Sequence, residues 1–362
     1  MKRVCFITPS LEKGGMERVL TELANYGAKN MYAVYIINIL PGRNVAYELD
    51  SRVTCIEPEY GYEENLRFKI RSFRYLKEQI SKIKPQSCLS FSESFNPLAV
   101  LVSKLNGVPI YISDRSNPLK PVSFFKRFIK RVVYPKADGM IAQTSFAQKV
   151  FQRKKLNSNI ITIANPLRAL PSWAGSKDAS QNNGQNLIVS VGRLVPSKNF
   201  AQLIRIFAET ASDCWELIIL GEGRERPSLE SLIKKLKLCD RVKLLGQVDD
   251  VDAYFSRADV FAFTSLSEGF PNALSEAMGF PLACISFDCP AGPADIIDDG
   301  VNGMLIPINN EESYRKKLSD LMKDSELRDK FKLEAYKNRE KFSTVRTSAK
   351  YFNFILDKPC IQ

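Results

Sequence analysis

The chain alternates between two kinds of segment. Short apolar runs rich in β-branched residues recur at 3–8, 32–40, 53–57, 87–91, 109–113, 139–143 and 160–164, with helical patterns between them. The rhythm resumes at 187–191, 216–220, 242–245, 260–264, 282–286 and 303–306. Apolar runs of this kind read as buried strands, and strands separated by helices pair in parallel. The chain is therefore expected to be α/β, with two doubly wound halves. A length of 362 residues independently favours two domains. Pro171 to Asn186 is rich in Ser, Asn, Gln and Gly and poor in apolar residues, so it reads as a linker. The expected division is 1–170, a linker at 171–186, a second domain at 187–340, and a final segment at 341–362.

Residues 264 to 278 read Thr264-Ser-Leu-Ser-Glu268-Gly269-Phe270-Pro271-Asn272-Ala273-Leu274-Ser-Glu276-Ala-Met278. Pro271 suits the first turn of a helix, where its missing N–H costs nothing. A helix starting there points the N–H groups of Asn272, Ala273 and Leu274 out of its end. Free N–H groups and the helix dipole make an anion site. Glu268 precedes that end and Glu276 lies about a turn inside it. Carboxylates accept hydrogen bonds from hydroxyls, so a diphosphate flanked by a ribose and a hexose fits the layout. The competing reading is an ordinary loop–helix junction with two surface glutamates.

Glu268-Gly-Phe-Pro-Asn, with a second Glu eight residues on, resembles the donor motif of family 4 retaining glycosyltransferases, which have the two-domain GT-B fold. Three further stretches resemble the same family in the same order. Strand 186–191 is followed by Gly192-Arg193-Leu-Val-Pro-Ser-Lys198-Asn199. In the family, this position supplies an Arg and a Lys to the donor diphosphate, which implies that role for Arg193 and Lys198. Leu217-Ile-Ile-Leu-Gly221-Glu222-Gly223 ends a strand in a turn where backbone approaches a ligand closely. The family places the nucleobase near this turn and near Gly246-Gln247-Val248. Gly14-Gly15-Met16-Glu17-Arg18 resembles the N-terminal loop that meets the donor's phosphates and sugar. A basic surface loop and plain strand–helix turns are the bland alternatives for these segments.

The resemblance also implies an N-terminal acceptor-binding domain, a C-terminal UDP-sugar-binding domain, and a ligand cleft where the carboxyl ends of both sheets meet. The C-terminal helix is expected to cross back to the N-terminal domain, and the apolar and aromatic residues Val345, Tyr351, Phe352, Phe354 and Ile355 suit that helix. UDP as the nucleotide and retention at the anomeric carbon are likewise implied by the family alone. Asp288-Cys289-Pro290-Ala-Gly292-Pro293-Ala294-Asp295 resembles a stretch of bacterial transferases that extend lipid-linked glycans such as O-antigen, capsule or N-glycan precursors. Those enzymes often have Ser-Glu where Ala294-Asp295 stands.

The chain has no histidine. That excludes a Ser-His-Asp triad, a Cys-His pair, His metal ligands and a His general base. It also departs from the many family members that carry a His near the donor sugar. Ser113-Asp114-Arg115-Ser116-Asn117 occupies the corresponding place. Asp114 is the candidate there, with a structural turn before Pro118 as the alternative. No metal is expected, because the single Asp-x-Asp, Asp250-Val251-Asp252, precedes a short helix and reads as an N-cap. The eight cysteines are scattered, with no Cys-x-x-Cys, and read as free thiols. No apolar run spans a bilayer, and the N-terminus runs straight into a short strand without a leader peptide, so a cytoplasmic chain is expected.

Charge is unevenly spread. Residues 1–168 hold 27 Lys and Arg against 13 Asp and Glu, and the remainder 25 against 27. Arg67, Arg71 and Arg74 recur one turn apart beside an apolar stripe of Leu66, Ile70, Phe73, Leu76 and Ile80. Ser123–Val133 interleaves Phe and Ile with Lys126, Arg127, Lys130 and Arg131. Basic amphipathic helices bind anionic membrane surfaces, and an Arg row can hold a diphosphate. A solvated face over a core stripe is the alternative.

The combined expectation is a retaining, metal-independent glycosyltransferase, peripheral on the inner face of the cell membrane. It would move a hexose or N-acetylhexosamine from a UDP-sugar to a polyprenyl-diphosphate-linked saccharide. The competing classes are a UDP-sugar 2-epimerase of the same fold and a basic nucleic-acid-binding protein. The latter lacks an RNA-binding aromatic motif, zinc finger or helix-turn-helix, so no nucleic-acid partner is expected.

Overall fold

A computed structural model describes residues 1–12, 14–42, 45–63, 65–167, 186–210, 212–280 and 282–356. The chain divides into two compact units, Met1–Pro166 with Phe342–Gln362, and Leu167–Lys341. Apart from Asn186, the linker expected at 171–186 lies outside the described residues, as does Glu64.

The first unit contains β1 (Arg3–Thr8), α1 (Gly15–Lys29), β2 (Ala33–Asn38), β3 (Thr54–Ile56), α2 (Leu66–Ile83), β4 (Ser87–Ser90), α3 (Asn96–Leu105), β5 (Ile110–Ser113), α4 (Phe124–Val133), β6 (Gly139–Ala142), α5 (Ser145–Arg153) and β7 (Ile160–Thr162). Its seven strands lie in the order β3-β2-β1-β4-β5-β6-β7, all parallel. Strands this short and apolar bury completely when helices cover both faces, as β4, β5 and β6 do here.

The second unit contains β8 (Asn186–Val191), α6 (Phe200–Thr210), β9 (Trp215–Leu220), α7 (Arg226–Lys235), β10 (Val242–Gly246), α8 (Asp252–Arg257), β11 (Val260–Phe263), α9 (Asn272–Gly279), β12 (Ala283–Asp288), α10 (Pro293–Ile296), β13 (Met304–Pro307), α11 (Glu311–Lys323) and α12 (Ser325–Asn338). Its six strands run in the order β10-β9-β8-β11-β12-β13, again all parallel. In both sheets the order reverses beside the first strand. Loops diverge there, which leaves a crevice outside the carboxyl ends of the strands.

The last helix, α13 (Thr344–Leu356), packs in the first unit against α1 and β4. Phe352 is buried and meets Phe6, Tyr26 and Tyr32. Gly27 has no Cβ there, and one would collide with the Phe352 ring, so α1 and α13 approach through that glycine.

Candidate active site

The crevice of the second unit lies between the loops that leave β8 and β11, neighbours at the point where strand order reverses. After β8, a 3₁₀ turn at Pro196–Lys198 is started by the fixed φ of proline. It is closed by Asn199 in the left-handed region at φ 57°. The turn is tied to the β11 loop. The Leu266 N–H donates to the Ser197 carbonyl at 2.8 Å, and the Thr264 hydroxyl donates to the Lys198 carbonyl at 3.0 Å. This stitching aims two side chains at each other, and Lys198 Nζ donates to Glu268 Oε1 at 2.5 Å. The side chains are 17% and 11% exposed, and the ammonium lies 5.5 Å from the centre of the Phe263 ring.

The α9 end needs a correction. Pro271 is the capping residue, outside the first turn, and the helix begins at Asn272. The Asn272 N–H turns back to the Phe270 carbonyl at 3.0 Å, while Ser275 N–H closes the first turn on Pro271 O. The helix end therefore presents Ala273 and Leu274 N–H, where three donors had been expected. Phe270 and Pro271 are buried, so Phe270 serves packing with its ring. Gly269 and Glu276 are half-buried.

Gly221 and Gly223 have a packing task. Gly221 sits at φ +141°, and a Cβ on it would run into the Gly192 carbonyl. A Cβ on Gly223 would strike the Leu194 backbone. Backbone bonds close the contact, Gly192 N–H to Leu220 O and Leu194 N–H to Glu222 O, both at 2.9 Å. The glycines thus brace the loop that carries Arg193. Arg193 is exposed and forms no ion pair among the described residues. Gly221 N–H also donates to Gly246 O at 2.7 Å, and Val248 follows that strand end half-buried.

The segment after β12 packs against the start of α9, a neighbourhood that no spacing in the sequence indicates. Gly292, at φ +143°, lies against Pro271, where a Cβ would collide with the proline ring. Cys289 is buried beside the Lys198–Glu268 pair. Burial, then the Glu268 charge, pushes its thiol up to about 12, so it is an inert packing group. Asp250 accepts from Ala253 N–H at 3.1 Å, but the capping residue of α8 is Val251, so neither Asp of the Asp-x-Asp is the N-cap itself.

In the first unit, Gly14 caps α1 and Gly15 starts it. The Gly14 carbonyl accepts from the Tyr47 hydroxyl at 3.1 Å. Glu17 follows half-buried, and burial raises its carboxyl against the lowering effect of Arg115. Arg115 Nη1 donates to the Tyr351 hydroxyl at 3.0 Å, and its guanidinium stands 4.8 Å from the Phe91 ring centre.

Two residues singled out from the sequence meet here, Asp114 and Lys130. Asp114 is engaged by its own neighbours. It is 4% exposed and accepts from Tyr134 Oη at 2.7 Å, Asn96 Nδ2 at 2.9 Å and Lys130 Nζ at 2.7 Å. Lys130 is not a free surface cation, because it also pairs with Glu93 at 2.6 Å. Burial opposes the Lys130 charge, but Asp114 and Glu93 outweigh it and hold the amine above its usual range. Burial lifts the Glu93 carboxyl less than Lys130 and Ser116 lower it. The triad is an internal brace between the ends of β4 and β5 and α4.

The stripe on α2 is also split. Leu76 and Ile80 enter the core with Phe68 and Ile83, while Leu66 and Ile70 stay exposed beside Arg67, Arg71 and Arg74. On α4 only Val133 is buried. Phe124, Phe125 and Phe128 are 83%, 69% and 58% exposed, alongside exposed Lys126, Arg127 and Arg131. Among the described residues, no helix is long and apolar enough to cross a membrane.

Comparison with known proteins agrees with this architecture. Residues 173–338 match the family described as glycosyl transferases group 1. The chain is 30% identical over 338 residues to the Campylobacter jejuni GalNAc-α-(1→4)-GalNAc-α-(1→3)-diNAcBac-PP-undecaprenol α-1,4-N-acetyl-D-galactosaminyltransferase, covering 91% of each chain. A glycosyltransferase structure from Rickettsia africae superposes with a TM-score of 0.85 at 16% identity, over 100% of this chain and 99% of the other. Anabaena HepE, solved in complex with UDP, superposes with a TM-score of 0.80 at 17% identity, over 98% and 99%. The two parallel sheets and these neighbours define the GT-B fold. The protein belongs to the group 1 glycosyltransferases and is a glycosyltransferase enzyme.

Proposed function

We propose that the enzyme transfers a hexose or N-acetylhexosamine from a UDP-sugar, with retention and without a metal ion, to a saccharide carried on a polyprenyl diphosphate. The observation that carries the donor half is the Lys198–Glu268 pair at the strand-order reversal, beside exposed Arg193 and the N-terminal end of α9. A diphosphate needs fixed cations and N–H donors, and a pyranose needs a fixed acceptor for its hydroxyls. Lys198, Arg193 and the Ala273 and Leu274 N–H groups serve the first. Glu268 serves the sugar, and Glu276 the ribose. Gly221, Gly223 and Val248 border the nucleobase. HepE was solved in complex with UDP, and that precedent agrees with a uridine nucleotide.

The chemistry follows from charge. As the bond between C1 and the diphosphate oxygen lengthens, positive charge grows on the ring and negative charge on the leaving group. Arg193 and Lys198 stabilise the latter more in the transition state than in the ground state, which is the condition for catalysis. No enzyme nucleophile is assigned, so the acceptor oxygen attacks on the face that the diphosphate leaves. The acceptor's hydroxyl proton passes to the departing phosphate oxygen. With Asp114 committed internally, no carboxylate of the first unit is assigned to the reacting sugar.

The acceptor half rests on the uncompensated charge of residues 1–168 and on the name of the Campylobacter relative, whose substrate is an undecaprenol-diphosphate saccharide. Exposed phenylalanines and cations on α4, with the α2 arginines, suit an anionic membrane surface on the cytoplasmic side. Purified protein would be offered UDP-, GDP- and dTDP-sugars in EDTA, with and without a lipid-diphosphate saccharide. Turnover of one UDP-sugar that rises sharply with the lipid acceptor is expected. Strict dependence on added metal, or epimerised UDP-sugar as the product, would overturn the reading.

A further inference from the structure

A cavity of about 760 Å³ opens in the first unit beneath α4. Its walls are the 116–122 loop, α4 itself and the end of α5 through Leu156. Besides Lys130, six cations line it: Lys120, Arg127, Arg131, Arg153, Lys154 and Lys155. The carboxylates in the wall are Glu93 and Asp114, and both are occupied by Lys130, the seventh cation. None of the six forms an ion pair among the described residues. Like charges gathered without counter-charge destabilise a fold unless an anion joins them.

Lys154 shows that tension most directly. Its ammonium donates to the Pro118 carbonyl at 2.9 Å, which fixes it in the wall. Burial, then repulsion from Lys130 and Arg127, holds its basicity below the usual lysine range. The rest of the wall is apolar. Phe151 and Leu156 are buried at the base, while Leu119, Phe124 and Phe128 are exposed at the rim. A compact anionic end attached to a hydrocarbon chain satisfies both parts.

We propose that this cavity seats the diphosphate of the polyprenyl carrier, with Lys154, Arg127 and Arg153 as its cations and the α4 phenylalanines along the first isoprene units. The inference rests on the reading that the acceptor is lipid-linked, and it makes a distinction within that reading. The Arg67, Arg71 and Arg74 row lies on an open helix face and lines no part of this cavity, so it attracts the membrane surface and does not grip the carrier. A nucleic acid would need a continuous groove with stacking faces, and this is a local pocket suited to one headgroup.

The test uses the full chain and farnesyl diphosphate as a soluble probe, with binding followed by calorimetry. Lys154→Gln and Arg153→Gln are each expected to weaken binding about tenfold, as loss of one charge-assisted bond would. Arg67→Gln, Arg71→Gln and Arg74→Gln combined should leave it within threefold. UDP affinity and melting temperature report whether each variant folds, and Arg153→Gln provides a second site if Lys154→Gln does not. In transfer assays the two cavity variants should raise KM for the lipid acceptor and leave kcat unchanged. Unchanged probe affinity in both cavity variants, or an equal loss in the α2 variant, overturns the inference. Inorganic pyrophosphate binding as tightly as the farnesyl probe also overturns it, since the site would then be a phosphate site without a lipid. Probe binding that depends on Lys154, in an enzyme that ignores lipid-linked acceptors, would support the cavity and overturn the proposed acceptor.

Discussion

Replacing Lys198 separates its structural task from its proposed catalytic one. The Lys198–Glu268 pair is neither open nor sealed, at 17% and 11% side-chain exposure. Exposed pairs contribute about 0–1 kcal/mol, and cutting a fully buried pair costs about 3–5 kcal/mol. Discounted for its exposure, Lys198→Ala should cost about 2 kcal/mol, which lowers the melting temperature by roughly 4–8 °C for a unit of this size. If the same ammonium neutralises the leaving diphosphate, kcat/KM should fall about 10²–10³-fold, as when one preorganised donor is removed. Initial rates and thermal melts on the same preparations read both quantities. A double-mutant cycle with Glu268→Gln should show a coupling of about 1–2 kcal/mol in stability. A Lys198→Ala enzyme that melts as calculated but keeps kcat/KM within threefold of wild type would refute the catalytic assignment. Coupling below about 0.3 kcal/mol would refute the pair itself.

Other consequences can be measured separately. Lys130→Met strands Asp114 and Glu93 in a dry setting and should cost about 3 kcal/mol in urea unfolding at neutral pH. Glu93 is held below the ordinary carboxylate range, so its contribution is complete above that range and lost as pH falls through its folded value. Lys130 is held above the ordinary lysine range, so its contribution is complete below that range and lost as pH rises through its folded value. The difference between wild type and variant should therefore be flat from about pH 6 to 9 and shrink below about pH 4. Gly221→Ala meets both an unfavourable φ and the Gly192 carbonyl, so a loss of about 3 kcal/mol or more is expected, with weaker UDP binding by calorimetry. Changing Phe124, Phe125 and Phe128 together to Ser should leave the melting temperature within about 2 °C, since each ring is largely exposed. Cosedimentation with anionic vesicles should drop about tenfold, and unaltered cosedimentation would discard the membrane reading of that face.

The parallel sheets were legible because burial on both faces leaves a mark on the central strands. The predicted run at 139–143 appears as β6 at Gly139–Ala142, and 260–264 as β11 at Val260–Phe263. Lys198 and Glu268 are both legible in the sequence, but their bond is not, because their separation of 70 positions is closed by the pairing of β8 with β11. Lys130 shows the opposite failure. In a run of alternating Phe and basic residues it reads as surface, and only Asp114 and Glu93, from other strand ends, draw it inward. Periodicity likewise could not say that Leu66 and Ile70 overhang the core while Phe68 enters it, because a helix face is set by what it packs on. Asn272 departs from expectation more locally, since a tight turn on Phe270 consumes an N–H that an ideal helix start would leave free.

The placement of α13 bears on the order in which the chain can fold during synthesis. Phe352, Tyr351 and Ile355 complete a core whose other members include Val4, Phe6, Val19 and Leu20. A ribosome therefore releases most of the first unit early but withholds one wall of it until the second unit has been made. The second unit, continuous from Leu167 to Lys341, has all its strands before that wall arrives. It can become native while its predecessor still exposes the apolar trough along α1 and β4. A truncation before Thr344 should thus harm the half of the protein most distant from it in sequence. Fragments ending there should bind chaperones through α1 while the 187–340 strands are already protected from proteolysis.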